Sequence, residues 1–456
     1  MPNETMPSLR AEGRILVRLS LPVIAAQLGT MTMGIVDTAM LGRVSVDALA
    51  AASLANAWIF LTLISCNGLL MGMDPIVSQA HGRGDGRTSG ITLQRGLVLA
   101  ALSSVLVTGL WTLTETLLQL LRQEERLVVA AHDYVRVQIP SIAFFLGFTA
   151  LRQQLQGREI MRPAMWATLL ANLSNVLLNW VLIFGHLGFP ALGLQGAGIA
   201  TGLNRGLMFL LLLWFVWRAD LLAGAWVPWS RAALERAGLL RIVRLGLPVS
   251  IQMALEILAF SGSTLLAGWI GAAAIAAHQV TLNFAALSFM MPLGVSQAAA
   301  TRVGNLLGGR LHDRAQRAAW LALALGAAIM SVWAVVFILG RASLPRLLTN
   351  DPEVIALSAT IFPIAAAFQI FDGTQVVGGG ILRGMGRTRP VAWFNLAAYW
   401  GIGLPIGAWL GLRGGFGLVG IWWGLCLGLA IVAILLLAWI RARGPASLAE
   451  PAPSGA

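Results

Sequence analysis

Three carboxylates stand where a carboxylate is costly. Asp37 closes an apolar run in which no charged residue occurs from Leu19 to Val36. Glu256 lies ten residues past Gly246, and Asp372 lies 11 residues before Arg383, each within another apolar run. A charged side chain at a bilayer centre costs about 2.5–3.5 kcal/mol on insertion scales, so such groups face a cavity and are functional by default. If Glu256 and Asp372 face one interior they form a two-carboxylate site. Two acids in one dry pocket do not both ionise easily. Such a pair takes up and releases H⁺ near neutral pH. Ionised, it holds Na⁺ with help from carbonyls and hydroxyls. Asp37 has a different set of companions. NLSNVLLNW places Asn172, Asn175 and Asn179 at i, i+3 and i+7, on one face of a helix. A polar stripe inside a bilayer must be satisfied internally, so a carboxylate with two or three amides makes a coherent hydrogen-bonded site.

Depth separates the three acids. At 1.5 Å per residue, Glu256 is roughly 15 Å and Asp372 roughly 16 Å from a helix end, near the midplane, whereas Asp37 is roughly 28 Å past Arg18, in the outer half. Asp74 precedes Pro75 near an inner boundary, which points to a structural or gating role. His278 and Gln279 open a helix near the outer face, where a histidine serves either as a helix-end hydrogen-bonder or as a proton relay. Arg205 is the one arginine deep inside an apolar run. Met31, Met33, Met253, Met290 and Met291 are either ordinary packing or the adaptable wall of a cavity, since thioethers fit varied shapes. Cys66 and Cys426 both lie inside apolar stretches and read as small buried hydrophobes.

The elements that carry these groups are membrane helices. The 456 residues are 57% hydrophobic and 11% charged, with a mean hydropathy of +0.78. Soluble domains carry roughly 25% charged residues, so this chain cannot cover itself with a polar surface. Twelve apolar stretches, from 15–41 to 417–441, are each long enough to span a bilayer, which takes about 20 apolar residues. The loops leave no room for a soluble catalytic domain. All 31 basic residues are arginines. Without lysine there is no P-loop and no Schiff-base cofactor, so neither ATP nor any other cofactor is expected. The charge of +12 sits at helix ends and implies no nucleic acid. The first residues lack the apolar core of a cleavable signal peptide.

Arginine also orients the chain. With the N-terminus inside, 23 arginines fall on the inner side and seven on the outer, Arg205 apart. The positive-inside rule then places both termini in the cytoplasm. The chain repeats itself as well. RLSLPV at 18–23 matches RLGLPV at 244–249, LQGREIMRP at 155–163 matches LRGMGRTRP at 382–390, and GLQG at 193–196 matches GLVG at 417–420. The nearly constant offset predicts two homologous six-helix lobes of like orientation, related by a pseudo-two-fold axis along the membrane normal. The expected fold is all-α. It has a cytoplasmic tail 1–12, lobes 13–219 and 243–441, a cytoplasmic amphipathic linker 220–242 and a disordered cytoplasmic tail 442–456. Two such lobes enclose a cleft that opens to each side in turn.

Several motifs resemble the multidrug and toxic compound extrusion (MATE) family, in particular its bacterial NorM-type branch. They are VDTAMLGR at 36–43, SQAHGRGDG at 78–86, GLPVSIQMALEILAF at 246–260, AAHQV at 276–280, MPLGVSQAAATRVGNLLGG at 291–309 and ILRGMGRTRP at 381–390. The resemblance covers 14–440. It implies a multi-pass bacterial inner-membrane antiporter, expected to be monomeric, that expels cationic and amphipathic drugs in exchange for H⁺ or Na⁺. It also assigns Asp37, Glu256 and Asp372 to ion coupling or substrate. Asn172, Asn175, Asn179, His278 and Gln279 are the supporting polar groups. One departure bears on the ion. Na⁺-using relatives of the NorM type carry a tyrosine one turn before the aspartate that corresponds to Asp372, and here that place is Phe368. The expected coupling ion is therefore H⁺, with Na⁺ at Glu256, Asp372 or Asp37 as the alternative.

Rival functions fit less well. A membrane-embedded enzyme would need a motif such as HExxH or GxSxG, and neither occurs. A channel would repeat its acids around a ring. A lipid or lipid-linked saccharide flippase of the same broad superfamily is the nearest alternative. It would line its cavity with cations, whereas this chain offers carboxylates and only one deep arginine.

Overall fold

A computed structural model describes residues 8–449. Among them there are only helices and loops, and 11 helices are long and apolar enough to cross a membrane. In order these are α1 (Leu9–Gly42), α2 (Val46–Gly82), α3 (Gly86–Thr112), α4 (Glu125–Gly157), α5 (Arg162–Phe184), α6 (Gly193–Arg218), α7 (Arg236–Ile270), α8 (Ala272–Gly308), α9 (His312–Gly340) and α10 (Pro352–Gly384), then α12 (Gly417–Arg443). The remaining expected stretch is α11, from Arg389 to Arg413. It is helical throughout but changes its winding, α at Arg389–Asn395, π at Leu396–Gly403, α at Leu404–Ala408 and π at Trp409–Arg413. A π turn is rare and is frequently found at functional sites.

Glycine spacing explains how α11 packs. Gly403, Gly407 and Gly411 recur every fourth residue, as do Gly420, Gly424 and Gly428 of α12. Small residues at this spacing let membrane helices approach backbone to backbone. The approach is so close that a Cβ on Gly424 would stand 2.3 Å from the Gly407 Cα, and one on Gly420 would stand 2.6 Å from the Gly411 backbone nitrogen.

The chain forms two compact units. One comprises the residues up to Ile24, Ser78–Gly84 and those from Ile251 onward. The other comprises Ala25–Val77 and Asp85–Ser250. The divisions within α1 and α7 fall two residues past Pro22 and Pro248, which the RLSLPV and RLGLPV repeats share. Proline removes an i→i−4 hydrogen bond at each place.

In the unit from Ile251 onward, α8, α9, α10 and α12 enclose a core that includes Phe337, Phe362, Phe368 and Trp422. The start of α1 belongs to this unit, where Glu12 is buried and grips Arg302 of α8 with both carboxylate oxygens, at 2.5 and 2.9 Å. Residues 9–12 of the expected tail are thus helical, and Glu12 anchors them. At the other end, Pro445–Leu448 form a 3-10 turn, and the Ala446 amide donates to Gln316 at 3.3 Å. Residues 442–449, expected in the disordered tail, are therefore in order. The rest of that tail, 450–456, lies outside the described residues, as does 1–7 of the N-terminal tail.

In the other unit, α3 and α4 strap the linker down. Gln94 donates to the carbonyls of Val227 and Pro228 at 2.8 and 3.1 Å. Arg158 donates to those of Leu221 and Ala223, and Arg95 pairs with Glu235 at 2.7 Å. Residues 236–242 of the expected linker are the first turns of α7. Trp226 and Trp229 remain exposed, as expected of interfacial tryptophans.

Candidate functional site

In the unit that contains Asp85–Ser250, α1 and α5 meet at Asp37. The Asn179 Nδ2 donates to Asp37 Oδ1 at 2.5 Å and to Asn175 Oδ1 at 3.0 Å. Asn175 and Asn179 are fully buried and Asn172 nearly so, whereas Asp37 is half-buried. The i, i+3, i+7 stripe is thus one buried face, and two of its three amides join the carboxylate in a chain. Asn172 Nδ2, Asn175 Nδ2 and Asn179 Oδ1 are buried without a protein partner. Helix α6 reaches the same place, since Asn204 Nδ2 lies 3.2 Å from the Met33 sulfur, one turn before Asp37. From α4, Tyr134 stands within electrostatic reach of both Asp37 and Arg205, and its hydroxyl donates to Asn56 Oδ1 at 3.4 Å.

The second unit holds the other two acids. Asp372 is buried on α10, Glu256 is half-buried on α7, and the two are within electrostatic reach of each other. A glutamine organises their surroundings. Gln375 lies beside Glu256, its Nε2 donates to Asn395 Oδ1 at 3.2 Å, and its Oε1 accepts from the Tyr399 hydroxyl at 3.2 Å. Tyr399 is fully buried on the first π turn of α11 and lies within electrostatic reach of both acids. Its ring stands edge-on to Phe260, which also meets Phe368 edge-on. Phe368 contributes only carbon at its own position, and the phenol oxygen comes from α11 instead.

Reading along the chain did not single out Gln375, Asn395, Tyr399 or Tyr134. A signal was available, because the chain has only two tyrosines and each stands beside one of the acidic sites.

His278 and Gln279 part company. His278 is fully buried, its Nε2 3.3 Å from the Ser263 hydroxyl and its ring edge-on to Trp422. Gln279 is exposed. Successive helix residues point about 100° apart, so the pair makes no joint site. Asp74 is buried within electrostatic reach of Arg152, which also approaches Asn67 Oδ1 at 3.5 Å and lies over the Phe148 ring. Met31, Met33, Met253, Met290 and Met291 are all half-buried. Among the described residues, no cluster of three or more His, Cys, Asp or Glu could hold a metal ion.

Among the described residues, eleven bilayer-length helices and the π-wound α11, with carboxylates set among amides and phenols, define a class of solute carrier, and the comparisons with known proteins agree. The MatE family model matches residues 22–181 and again residues 248–409. The two matches start 226 residues apart, the same offset as RLSLPV and RLGLPV. Multidrug resistance protein MdtK of Yersinia pestis (strain Pestoides F) is 34% identical over 435 residues, covering 94% of this chain and 95% of that protein. The probable multidrug resistance protein NorM of Mesorhizobium japonicum is 36% identical over 452 residues, covering 95% and 94%. The crystal structure of the eukaryotic MATE transporter AtDTX14 shares the fold, with a TM-score of 0.88 at 22% identity over 97% of this chain and 98% of that one. The chain belongs to the MatE family of multi-pass membrane transporters, with their two-lobe, twelve-helix fold, and is not an enzyme.

Proposed function

We propose that the protein is a multidrug efflux antiporter of a bacterial inner membrane. It exports cationic and amphipathic compounds in exchange for H⁺ by alternating access of its lobes, with both termini in the cytoplasm and no need of ATP. The observation that carries this reading is the pair of acidic sites. Each compact unit sets a half-buried carboxylate against neutral polar groups, Asn175 and Asn179 at Asp37 and Gln375 at Glu256. No arginine ion-pairs with Asp37, Glu256 or Asp372 among the described residues. A carboxyl held by amides rather than by a fixed cation exchanges one positive partner for another, a proton for a charged drug. The names of MdtK and NorM support drugs as the cargo.

H⁺ is the preferred coupling ion because Phe368 offers no oxygen. Tyr399 keeps Na⁺ as the alternative, since its phenol bonds the Gln375 carbonyl within electrostatic reach of Glu256 and Asp372. Hard cations take oxygen ligands. Proteoliposomes with independently imposed pH and Na⁺ gradients test the reading. Efflux of a cationic dye should follow an inward H⁺ gradient and need no Na⁺. Full Na⁺ dependence without response to pH would overturn the choice of ion, and no gradient-driven movement of dye would overturn export.

A further inference from the structure

The first turns of α1 have two faces. Glu12, Leu16 and Leu19 are buried, and Glu12 grips Arg302 of α8, so this face is fixed against the protein. Arg10, Arg14 and Arg18 recur every fourth residue on the opposite face, and all three are exposed. Residues at this spacing stay on one side of a helix. Among the described residues no carboxylate ion-pairs with any of the three. Leu21 continues the same face and is exposed as well.

The pattern returns in the other unit at the offset of 226 residues that separates RLSLPV from RLGLPV. On the first turns of α7, Arg236 and Arg244 match Arg10 and Arg18, and Leu247 matches Leu21. All three are exposed, as is Arg241 beside them, while Gly238, Ile242 and Val249 are buried on the inward face. None of these arginines ion-pairs with a carboxylate among the described residues. The positive-inside rule asks for arginine near a helix end but not for the direction in which it points. Here the arginines share the face that the protein leaves open, and both repeats keep it. Depth fits a membrane ligand. The exposed leucines mark the edge of the hydrocarbon. Arg18 lies three residues before Leu21, and Arg14 lies roughly 6 Å further out along the axis. The headgroup layer is about 5–8 Å thick on each side, so Arg14 and Arg18 stand at the level of lipid phosphates.

We propose that the starts of α1 and α7 are binding stripes for anionic phospholipids, one on each compact unit, with arginine on the phosphates and Leu21 or Leu247 against the acyl chains. The planar fork of arginine matches phosphate oxygens in two parallel hydrogen bonds. Choline and ethanolamine headgroups carry their own cation, so they offer the stripe no net charge. A glycerol headgroup leaves the phosphate charge uncompensated and complements guanidinium groups that no protein carboxylate neutralises. A soluble acidic partner would have no use for the leucines that carry the stripe into the hydrocarbon. With the orientation proposed above, the lipids belong to the cytoplasmic leaflet, where juxtamembrane basic clusters bind anionic lipid.

The test titrates the purified full-length protein in detergent with dioleoylphosphatidylglycerol or dioleoylphosphatidylcholine and counts bound lipid by native mass spectrometry. Wild type should retain phosphatidylglycerol at concentrations about tenfold or more below those for phosphatidylcholine, since each arginine near a charged membrane surface is worth about fivefold in binding. Arg10→Gln, Arg14→Gln and Arg18→Gln together should remove most of that preference and leave phosphatidylcholine binding unchanged. The corresponding lysine variant should keep part of it, because lysine holds the charge without the fork. The control neutralises Arg83, Arg441 and Arg443, which are exposed near helix ends but lie outside the stripes. It removes the same charge and should leave the preference nearly intact. Equal losses in the two triple variants would overturn the proposal, because general charge would then be enough. A wild type that does not distinguish the two lipids would overturn it without any variant. Displacement of the lipid by glycerol 1-phosphate at equal concentration would overturn it too, since the stripe would then serve soluble anions. If the α1 variant does not fold, Arg236→Gln with Arg244→Gln makes the same comparison on α7. Binding is read in detergent without any gradient or dye, so its failure would leave the export reading standing.

Discussion

The Tyr399 hydroxyl donates to Gln375 Oε1 at 3.2 Å, and Gln375 stands beside Glu256. The amide passes the position of a phenol on α11 to a carboxyl on α7. Gln375 and Tyr399 are both fully buried, so the loss of one leaves the other with hydrogen-bonding capacity that no water at the surface replaces.

Tyr399→Phe removes the hydroxyl alone. Gln375 Oε1 then becomes a buried acceptor without its donor, which costs about 1–3 kcal/mol. The variant should express and purify with a lower thermal midpoint in detergent, and gradient-driven efflux should fall severalfold because Glu256 is less well positioned. Wild-type efflux with unchanged stability would show that the phenol is a bystander.

What the sequence could reveal of this fold follows from the solvent. A bilayer demands about 20 apolar residues per crossing, so every spanning helix is visible as a run. The asparagine stripe was visible too, because Asn172, Asn175 and Asn179 repeat at helical spacing on a single helix. Gln375 and Tyr399 were not, because each is one polar residue in its own apolar run. Only tertiary packing shows that they meet 24 residues apart. The π winding of α11 was hidden for a similar reason. Its glycine ridge is legible, but the change of hydrogen-bond register depends on how closely α12 presses against it. Glu12 falls within the expected cytoplasmic tail 1–12, since nothing local announces Arg302 as its partner.

The Glu12–Arg302 pair gives a stability test. Glu12 is 5% exposed, and the Arg302 Nε stands 2.5 Å from its carboxylate. Removal of one partner from a buried pair costs about 3–5 kcal/mol, because the other charge stays behind. Glu12→Ala should therefore lower the thermal midpoint more than a double variant that makes both positions apolar. Additive losses, measured by unfolding in detergent, would mean that the two residues do not act as a pair.

The glycine ridge gives a steric test. A Cβ on Gly424 would stand 2.3 Å from the Gly407 Cα, backbone that cannot rotate away. Gly424→Val forces α11 and α12 apart, and overpacking costs about 1–3 kcal/mol or more. Gly415→Ala makes the control for crowding, since a Cβ there meets nothing within 4 Å. Its φ of +75° still strains any residue with a side chain. The folded yield of Gly424→Val should drop well below that of Gly415→Ala. Equal yields would show that the ridge tolerates a wider spacing.

Asp37→Asn separates binding from coupling. The amide has nearly the shape of the carboxylate, and its oxygen can still accept from Asn179 Nδ2, the bond of 2.5 Å that ties α1 to α5. Asn175 and Asn179 are fully buried and keep each other engaged at 3.0 Å, so the unit should still fold. What the amide cannot do is take up a proton. It should therefore hold the site permanently in the state that a neutral Asp37 would adopt. Dye binding to the purified variant should persist, weakened by no more than about tenfold if one charge-assisted contact is lost. Gradient-driven efflux should fail. Expression, dye affinity and efflux have to be measured on the same preparation, because each outcome points to a different role. Wild-type efflux would make Asp37 a boundary residue, and loss of the folded protein would make it a structural one. Asn179→Leu provides the complement, since it removes the amide and leaves the carboxylate in place. If Asn179 positions Asp37, that variant should retain efflux at a reduced rate with an altered response to pH.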